Sequence, residues 1–505
     1  MTDTAVTDTT AQPRADLVEV ETTAGRVRGR WRGVAGAAGS SAAFLGIPFA
    51  EPPVGELRFA APVPHRAWTG VRDALEHGPT PQRETLAEIT LIPEPSVPGA
   101  STLNVNVFTP APGSGEALPV LVYIHGGGYT AGSPASPWYD GAAFNRDGVV
   151  TVSISYRLGF DGFGWISDAP NNRAVLDWLL ALEWVQQNIA AFGGDASRVT
   201  ISGQSAGGAA VLALLGLPAA QGLFSGVYSI SGPIADVSLE RSEKTGRHLA
   251  ELAGVEPTRA GWSSVSEEGI LDLQKKLAEP PQGGNPMDMM TVFIEEGLPW
   301  APVIDGQLVP HGVLDALALG VGSDKPLVLG ATDDEFTMIL KEAEGKLRFI
   351  PPSLLLGKMG LKGAARREYL AANRSVKGTA NKLGRYITDR MFRTAILRVI
   401  AARGAAPTWT YRFSWKSPTF GSSVHCVDVP FFFDCLAADR VGAIAGENPP
   451  QSLADAVHGG AVAFIRDGDP GWPRFVAGTE VARVFDAGTR DDEHAFDSVK
   501  ALLPA

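Results

Sequence analysis

Apolar and polar residues alternate along the chain in a pattern that changes at about residue 103. From there on, short apolar runs are separated by long segments with apolar residues at helical spacing. The runs predict buried strands at residues 119–124, 149–155, 199–202, 227–230, 326–329 and 408–415. The clearest predicted helix covers residues 172–191. Strands that alternate with helices are typical of a mostly parallel, twisted sheet flanked by helices, so the pattern predicts an α/β fold.

Residues before this boundary follow a different pattern. Short strand-like runs at residues 17–21, 26–31 and 43–47 are separated by glycine. Runs of this kind predict a small antiparallel region at the edge of the sheet. Residues 46–59 contain too many prolines for a helix or a central strand, because proline lacks the backbone N–H, and they predict an ordered loop.

The chain has no internal repeat and no linker that would divide it. Residues 1–16, rich in Thr and Asp, predict a flexible N-terminal tail, and residues 17–505 predict one domain. Two blocks, near residues 236–300 and 342–405, have mixed helical and irregular character. Because they are too long to be simple crossovers between strands, they predict large helical insertions that wall a site above the sheet.

The composition narrows the class of protein. Of 505 residues, 45% are apolar and 19% are charged, which allows a sizeable core and excludes global disorder. The net charge of −12 argues against nucleic acid or an anionic membrane as a partner, since both need basic patches. Two cysteines, Cys426 and Cys435, exclude a disulfide framework. With no secretory signal and no membrane-spanning run, we expect a cytoplasmic protein, by default a monomer.

A candidate nucleophile lies directly after one of the predicted strands. Residues 203–207 read Gly-Gln-Ser-Ala-Gly, follow the strand at 199–202 and precede an Ala- and Leu-rich helix. In a strand–turn–helix context this G-x-S-x-G pattern presents the Ser205 hydroxyl on a strained turn above the sheet. The N-terminus of the following helix favours negative charge at this point. An ordinary glycine-rich turn between strand and helix is the alternative interpretation.

A second glycine-rich segment could supply backbone donors. Residues 125–129 read His-Gly-Gly-Gly-Tyr and follow the predicted strand at 119–124. Such glycines allow N–H groups to point into a cavity, where they stabilise the negative charge of a tetrahedral intermediate. Ala206, next to the nucleophile, should add one more N–H. A flexible turn or a phosphate loop is the alternative, but no Gly-Lys-Ser/Thr follows.

The chain order of the catalytic residues limits which of the eight histidines could act as the base. In this class of hydrolase the chain order is Ser, then Asp or Glu, then His. His425, His458 and His494 satisfy that order. His425 is best placed, because it lies in a Gly/Ser/Pro loop after the strand at 408–415, whereas His458 reads as helical and His494 lies in a charged segment.

The candidate acids follow the predicted strand at residues 326–329. Asp333, Asp334 and Glu335 are consecutive and lie at the carboxyl end of that strand, where catalytic groups of open α/β sheets gather. A buried carboxylate facing an imidazole would fix its tautomer and stabilise its charged form. The pattern alone does not rank the three acids.

Many ordered segments match one known family. They are FLGIPFAEPPVGELRF (44–59), LNVNVFTP (103–110), HGGGYTAGS (125–133), SYRLGFDGF (155–163), ALEWVQQNIAAFGGDASRVTISGQSAGG (181–208), PVIDGQLVP (302–310), ATDDE (331–335) and VHCVDVPFFF (424–433). With them the chain resembles the type-B carboxylesterases, the α/β-hydrolase branch that includes cholinesterases and bacterial p-nitrobenzyl-esterase-like enzymes. The resemblance implies an α/β-hydrolase fold and a serine carboxylesterase that uses no cofactor and no metal.

The resemblance also implies roles for particular positions. These are Ser205 as nucleophile, Glu335 as acid, His425 as base, Gly127, Gly128 and Ala206 as oxyanion donors, and Ser231 as a support of the acid. It is the resemblance that selects Glu335 among the three acids. Two departures from the family pattern stand out. Gln204 replaces the glutamate that often precedes the nucleophile, and Thr80 and Thr102 replace the cysteine pair of secreted members.

The substrate pocket is less well defined by the sequence. Met290, Phe293 and Trp300 form an apolar run in the first insertion, and Phe431 follows the candidate base. These side chains could line an acyl or alcohol pocket, and core packing is the equally good alternative. We expect a small, neutral and fairly apolar ester as substrate. The alternatives are a carbamate or amide hydrolase on the same scaffold and, less favoured, a binding protein without catalytic activity.

Overall fold

A 13-stranded mixed sheet runs through the protein. The computed structural model describes residues 16–81, 83, 85–279, 294, 297–341, 343–476 and 479–503, so the tail predicted over residues 1–16 lies, except for Asp16, outside the described residues. The strands are β1 (Leu17–Thr22), β2 (Gly25–Arg32), β3 (Ser41–Pro48), β4 (Val71–Asp73), β5 (Asn104–Thr109), β6 (Leu118–Ile124), β7 (Val150–Ile154), β8 (Gly194–Gln204), β9 (Gly226–Ile230), β10 (Val237–Ser238), β11 (Val303–Ile304), β12 (Leu327–Thr332), β13 (Thr408–Phe413), β14 (Ala482–Phe485) and β15 (Arg490–Asp492).

The order of strands in the sheet is β1-β2-β3-β5-β7-β6-β8-β9-β12-β13-β14-β15, with β4 beside β2, while β10 and β11 form a separate pair. Neighbours from β7 through β14 are parallel. Strands β1 to β7 pair antiparallel along the sheet order, as does β15. The predicted mostly parallel sheet with an antiparallel edge region is confirmed.

Alternate residues of the central strand β6 enter two different hydrophobic cores. Val120, Val122 and Ile124 pack in the core on one face, and Leu121 and Tyr123 pack in the core on the other. Successive side chains of a strand point to opposite faces, so a run of apolar residues marks a strand covered on both sides. This is why the parallel strands were visible in the sequence as continuous apolar runs.

The helices cover the faces of the sheet and fill the two insertions. They are α1 (Ala87–Thr90), α2 (Ala142–Arg146), α3 (Gly159–Phe163), α4 (Arg173–Asn188), α5 (Ala206–Leu215), α6 (Leu239–Ala253), α7 (Arg259–Ser263), α8 (Glu267–Ala278), α9 (Val313–Ala318), α10 (Glu344–Leu347), α11 (Pro352–Lys358), α12 (Gly363–Ala372), α13 (Thr379–Thr388), α14 (Thr394–Arg403), α15 (Val429–Phe432), α16 (Val441–Ala445) and α17 (Gln451–Asp467). A π-helical turn, Asp389–Arg393, joins α13 to α14. Within the described part of the chain, no helix is long and apolar enough to cross a membrane.

Both blocks proposed as insertions lie between strands of the parallel region. Helices α6, α7 and α8 belong to the connection from β9 to β12, and α10 to α14 belong to the connection from β12 to β13. The Pro-rich segment predicted as a loop differs from expectation at its start, because β3 continues to Pro48. The strand accommodates this with an irregular register between Phe44 and Ile47, where Gly46 has a φ of +70°.

Candidate active site

A cavity of about 440 Å³ lies where strands of the parallel region end. It is lined by Ser205, His425 and the backbone of Gly127, Gly128 and Ala206, so it brings together side chains that are up to about 300 residues apart in the chain. The carboxyl edge of a parallel sheet is where α/β proteins place their ligands. The cavity is therefore the candidate active site.

Ser205 lies on a strained turn between β8 and α5. Its φ of 58° and ψ of −121° place it where non-glycine residues are rarely found. The turn is held by a 2.9 Å hydrogen bond that the Ser205 N–H donates to the Ile230 carbonyl. Gly207 has to be glycine, because a Cβ there would lie 2.0 Å from the Ile124 carbonyl oxygen. The sequence folds into a tight elbow that leaves the Ser205 hydroxyl facing the cavity.

Three backbone N–H groups beside Ser205 are available to a ligand. Those of Gly127, Gly128 and Ala206 donate to no acceptor in the described part of the chain, and all three residues line the cavity. Gly127 has a φ of +110°, and a Cβ there would lie 2.2 Å from the Ala131 carbonyl oxygen. Preorganised donors of this kind stabilise an oxyanion without having to reorient during the reaction.

Glu335 and His425 form a buried pair beside the nucleophile. His425 Nδ1 donates to Glu335 Oε2, and the backbone N–H of His425 donates to the Glu335 carbonyl at 3.0 Å. The other carboxylate oxygen of Glu335 accepts hydrogen bonds from Ser231 Oγ at 2.6 Å and from the Thr332 N–H at 2.8 Å. With both oxygens engaged and Glu335 fully buried, the carboxylate is fixed in one orientation toward the imidazole.

Two aromatic rings cover the imidazole. The rings of Phe336 and Phe392 lie 5.1 and 5.5 Å from that of His425. Burial alone lowers the pKa of His425, but its contacts with the Cys426 thiol and the Glu335 carboxylate outweigh burial and raise the pKa well above the ordinary value. An imidazolium formed when His425 accepts a proton is therefore stabilised where it stands.

The side-chain amide of Gln204 contacts the ring nitrogen of His425 that does not face Glu335. Its side-chain Nε2 lies 3.1 Å from His425 Nε2. In the neutral imidazole, with the proton on Nδ1 facing Glu335, Nε2 is the acceptor and the Gln204 amide N–H donates to it. Ser205 Oγ makes no hydrogen bond to any residue that the structure describes. In this structure the Gln204 amide, and not the Ser205 hydroxyl, therefore occupies Nε2 of His425.

Asp428 adds a second titratable group near the triad. Burial, together with the charge of Glu335, raises its pKa to about 7. Tyr411 donates a hydrogen bond to one oxygen at 3.3 Å, and the other oxygen has no hydrogen-bond partner in the described part of the chain. A negative charge therefore develops beside His425 as the pH rises through neutrality.

Replacing Gln204 with glutamate should move the acid limb of the pH–rate profile upward. A carboxylate cannot donate to neutral Nε2 and stabilises the imidazolium, so the pKa of His425 rises further. Because the base must be neutral, kcat/KM then falls at a higher pH than in the parent enzyme. The measurement is kcat/KM from pH 5 to 9 with an uncharged ester.

Gln204→Met and Asp428→Asn test how much the Gln204 donor and the Asp428 carboxyl each contribute to the pH dependence of kcat/KM. Gln204→Met removes the donor without adding charge and should shift the limb less than Gln204→Glu does. Asp428→Asn removes the other group that titrates near His425. Identical acid limbs in Gln204→Glu, Gln204→Met and the parent enzyme would contradict a role for this contact.

The two acids that precede Glu335 point away from the imidazole. Asp333 receives a bidentate pair from Arg412 at 2.9 and 2.7 Å, and Asp334 pairs with Arg385 at 2.9 Å. Burial alone raises the pKa of Asp333, but the surrounding arginines outweigh it and hold the pKa well below the ordinary value. These two carboxylates anchor the second insertion to the sheet and leave Glu335 to face His425.

Asp333→Asn should lower the free energy of unfolding by about 3 kcal/mol, because it leaves Arg412 buried and uncompensated. The pKa of Asp333 is lower in the folded state, so its contribution is present above the unfolded pKa and is lost as the pH falls. Urea unfolding at pH 7 and at about pH 2.5, below the ordinary pKa of an aspartate, measures both effects. Glu243→Gln, which breaks an exposed pair with Arg247, should cost under about 1 kcal/mol and serves as the control.

Of the four residues expected to form the substrate pocket, the structure describes only Trp300 and Phe431. Met290 and Phe293 lie outside the described residues. Trp300 is buried against Phe160, with ring centres 5.9 Å apart, and Phe431 is buried against Phe413 at 5.3 Å. Neither Trp300 nor Phe431 lines the cavity, and both pack in the core beneath it.

The apolar walls of the cavity come from segments that the sequence pattern did not predict to line a pocket. They are formed by Leu86, Ile89, Ile92, Ile234, Leu298, Phe336, Met391 and Phe392. The spacing of three between Leu86, Ile89 and Ile92 is the one signal in the sequence that could have marked the first wall. Met391 and Phe392 belong to the π-helical turn, a feature often found at functional sites.

Comparisons with known proteins identify the family of this chain. The model of the carboxylesterase family matches residues 16–483. The para-nitrobenzyl esterase of Bacillus subtilis (strain 168) is 32% identical over 486 residues, which cover 91% of this chain and 94% of that protein. The fumonisin B1 esterase of Sphingopyxis macrogoltabida is 30% identical over 472 residues, covering 88% of this chain and 83% of that protein.

A solved structure shows the same fold. A carboxylesterase of Geobacillus stearothermophilus aligns with a TM-score of 0.81 at 31% identity, covering 96% of this chain and 99% of that one. The α/β-hydrolase fold and the resemblance to p-nitrobenzyl-esterase-like enzymes are confirmed. The chain belongs to the carboxylesterase family and is an enzyme that hydrolyses carboxylic ester bonds.

Proposed function

We propose that Ser205, His425 and Glu335 hydrolyse esters through an acyl-enzyme intermediate. Ser205 Oγ attacks the ester carbonyl while His425 Nε2 takes its proton, and Glu335 stabilises the resulting imidazolium. The N–H groups of Gly127, Gly128 and Ala206 receive the oxyanion. His425 then protonates the departing alcohol, and in the second half of the reaction it activates the water that releases the acid.

The observation that carries this proposal is the convergence of three features on one cavity. The strained Ser205 turn, the unpaired N–H groups of Gly127 and Gly128, and His425 with Glu335 behind it meet at this cavity. A His425–Glu335 pair with a purely structural role would not need unpaired backbone N–H groups and the Ser205 hydroxyl at the same cavity. Ser231 supports the site by holding the second oxygen of Glu335.

The walls favour a fairly apolar substrate. Aliphatic and aromatic side chains from three parts of the chain surround the catalytic groups, and apolar surfaces of this kind fit hydrocarbon acyl or alcohol groups. This supports the fairly apolar character of the ester expected from the sequence. Carbamate and amide hydrolysis would use the same groups. They differ in the leaving group, because an amine leaves less easily than an alcohol.

A matched set of substrates tests the proposed function. We expect the highest kcat/KM for an apolar aryl ester, lower values for the carbamate of the same phenol, and the lowest for the corresponding anilide. A fluorophosphonate should label Ser205 with loss of fluoride, as seen by mass spectrometry of the labelled peptide. Faster turnover of the carbamate or the anilide than of the ester would replace the proposal with one of those activities. The monomeric state and the cytoplasmic location stay predictions from the sequence.

A further inference from the structure

Four charged side chains border the otherwise apolar cavity: Glu94, Asp236, Arg390 and Arg398. Three of them are satisfied by the fold or by solvent. Glu94 accepts a hydrogen bond from the Gly132 N–H at 3.2 Å. Asp236 accepts one from the Val313 N–H at 2.8 Å, and Arg398 is exposed to solvent.

Arg390 is the exception. Its guanidinium makes no hydrogen bond and no ion pair with any residue in the described ranges of the chain. The Nε atom is buried without a partner, although the residue as a whole is only half-buried. A guanidinium is always charged and carries five donors in a planar fork, so it calls for an anionic acceptor. None of the residues that the structure describes provides that acceptor.

The backbone that carries Arg390 is firmly held. The π-helical turn Asp389–Arg393 is anchored by an ion pair at 2.8 Å between Asp389 and Arg393, both fully buried. Tyr369 donates to the same aspartate at 2.7 Å, and Arg393 also donates to the Ala495 carbonyl at 3.2 Å. Two residues after Arg390, Phe392 contacts the ring of His425. The backbone from which Arg390 projects is thus fixed in the wall beside His425.

We propose that Arg390 binds a carboxylate of the substrate, so that the preferred substrates are esters that carry a second, free carboxylate. This rests on the proposed function of Ser205. The guanidinium fork matches the two oxygens of a carboxylate, and the apolar wall accommodates the hydrocarbon chain between that group and the ester. A half-ester of a linear dicarboxylic acid has this form, with an uncharged ester at one end and an anion at the other.

Hydrolysis of two matched esters tests the proposal. Monoethyl adipate carries the free carboxylate, and its monoamide analogue, ethyl 5-carbamoylpentanoate, has the same shape without the charge. We expect the parent enzyme to show at least about a tenfold higher kcat/KM for the acid than for the amide, the range for charge-assisted bidentate hydrogen bonds. Arg390→Met should abolish that ratio mainly through KM, and Arg390→Lys should restore part of it. 6-Acetoxyhexanoate tests a carboxylate on the alcohol side.

Arg398→Met is the matched control and should keep the acid-to-amide ratio of the parent enzyme. A ratio near one in the parent enzyme, or a ratio that Arg398→Met abolishes and Arg390→Met preserves, would overturn the proposal. Calorimetric binding of monoethyl adipate to Ser205→Ala, with and without Arg390→Met, measures the contact without turnover. If Ser205→Ala still hydrolysed the neutral amide analogue, the proposed function would fail instead.

Discussion

Replacing Ser205 with alanine should lower kcat by about 10⁴- to 10⁶-fold, the loss seen when a triad serine is removed. The attacking oxygen disappears, while the Gly127 and Gly128 donors and the apolar walls stay in place. Substrate should therefore still bind, and the change should appear in kcat far more than in the dissociation constant of a non-hydrolysable ester analogue. Steady-state kinetics with an aryl ester and calorimetry with the analogue give the two numbers.

Ser202 offers a matched control for that experiment. It lies three residues earlier on β8, is fully buried, and its hydroxyl has no hydrogen-bond partner in the described part of the chain. Ser202→Ala should keep both turnover and labelling by a fluorophosphonate. Because the left-handed φ at Ser205 disfavours any residue with a Cβ, alanine there adds no new strain. Persistent fluorophosphonate labelling of folded Ser205→Ala would show that another residue is the nucleophile.

The strained turn at Ser205 and the candidate position of His425 beside the same cavity could be indicated from the sequence because they depend on local features. A strand, a glycine-flanked serine and an apolar helix occupy fewer than 20 consecutive residues, and His425 follows a strong strand. Which of Asp333, Asp334 and Glu335 faces His425 cannot be read from the neighbouring residues in the sequence. It depends on Arg412 and Arg385, which lie some 50 to 80 residues further along the chain and take the first two carboxylates.

The lining of the substrate pocket depends on contacts between distant segments, and the spacing of apolar residues along the chain does not reveal such contacts. Trp300 and Phe431 are large apolar residues near the site in sequence, yet both pack in the core. The π-helical turn that presents Arg390 depends on a buried ion pair rather than on a sequence pattern. The contact of Gln204 with His425 likewise joins residues 221 positions apart. Local propensity predicts elements well, whereas the lining of a cavity is set by which elements meet.

Replacing Glu335 with glutamine should lower kcat by about 10³- to 10⁴-fold, close to the loss for the corresponding change in other serine hydrolases. In Glu335→Gln the new amide would present an N–H to His425 Nδ1, because Ser231 and the Thr332 N–H keep the carbonyl oxygen on their side. Two donors cannot face each other, so the imidazole must move its proton to Nε2. In that tautomer His425 cannot accept the proton of Ser205. Steady-state kinetics at the pH optimum measures the loss.

Asp333→Asn and Asp334→Asn form the matched series for this prediction. Both replace a carboxylate with an amide within two residues of Glu335, but their partners are Arg412 and Arg385 rather than His425. They should cost stability and leave the kcat of the folded fraction within about tenfold of the parent, since no group that touches the reacting atoms changes. A thousandfold loss of kcat in folded Asp333→Asn, with Glu335→Gln fully active, would move the catalytic acid to Asp333. The buried pair at Glu335 would then be structural only.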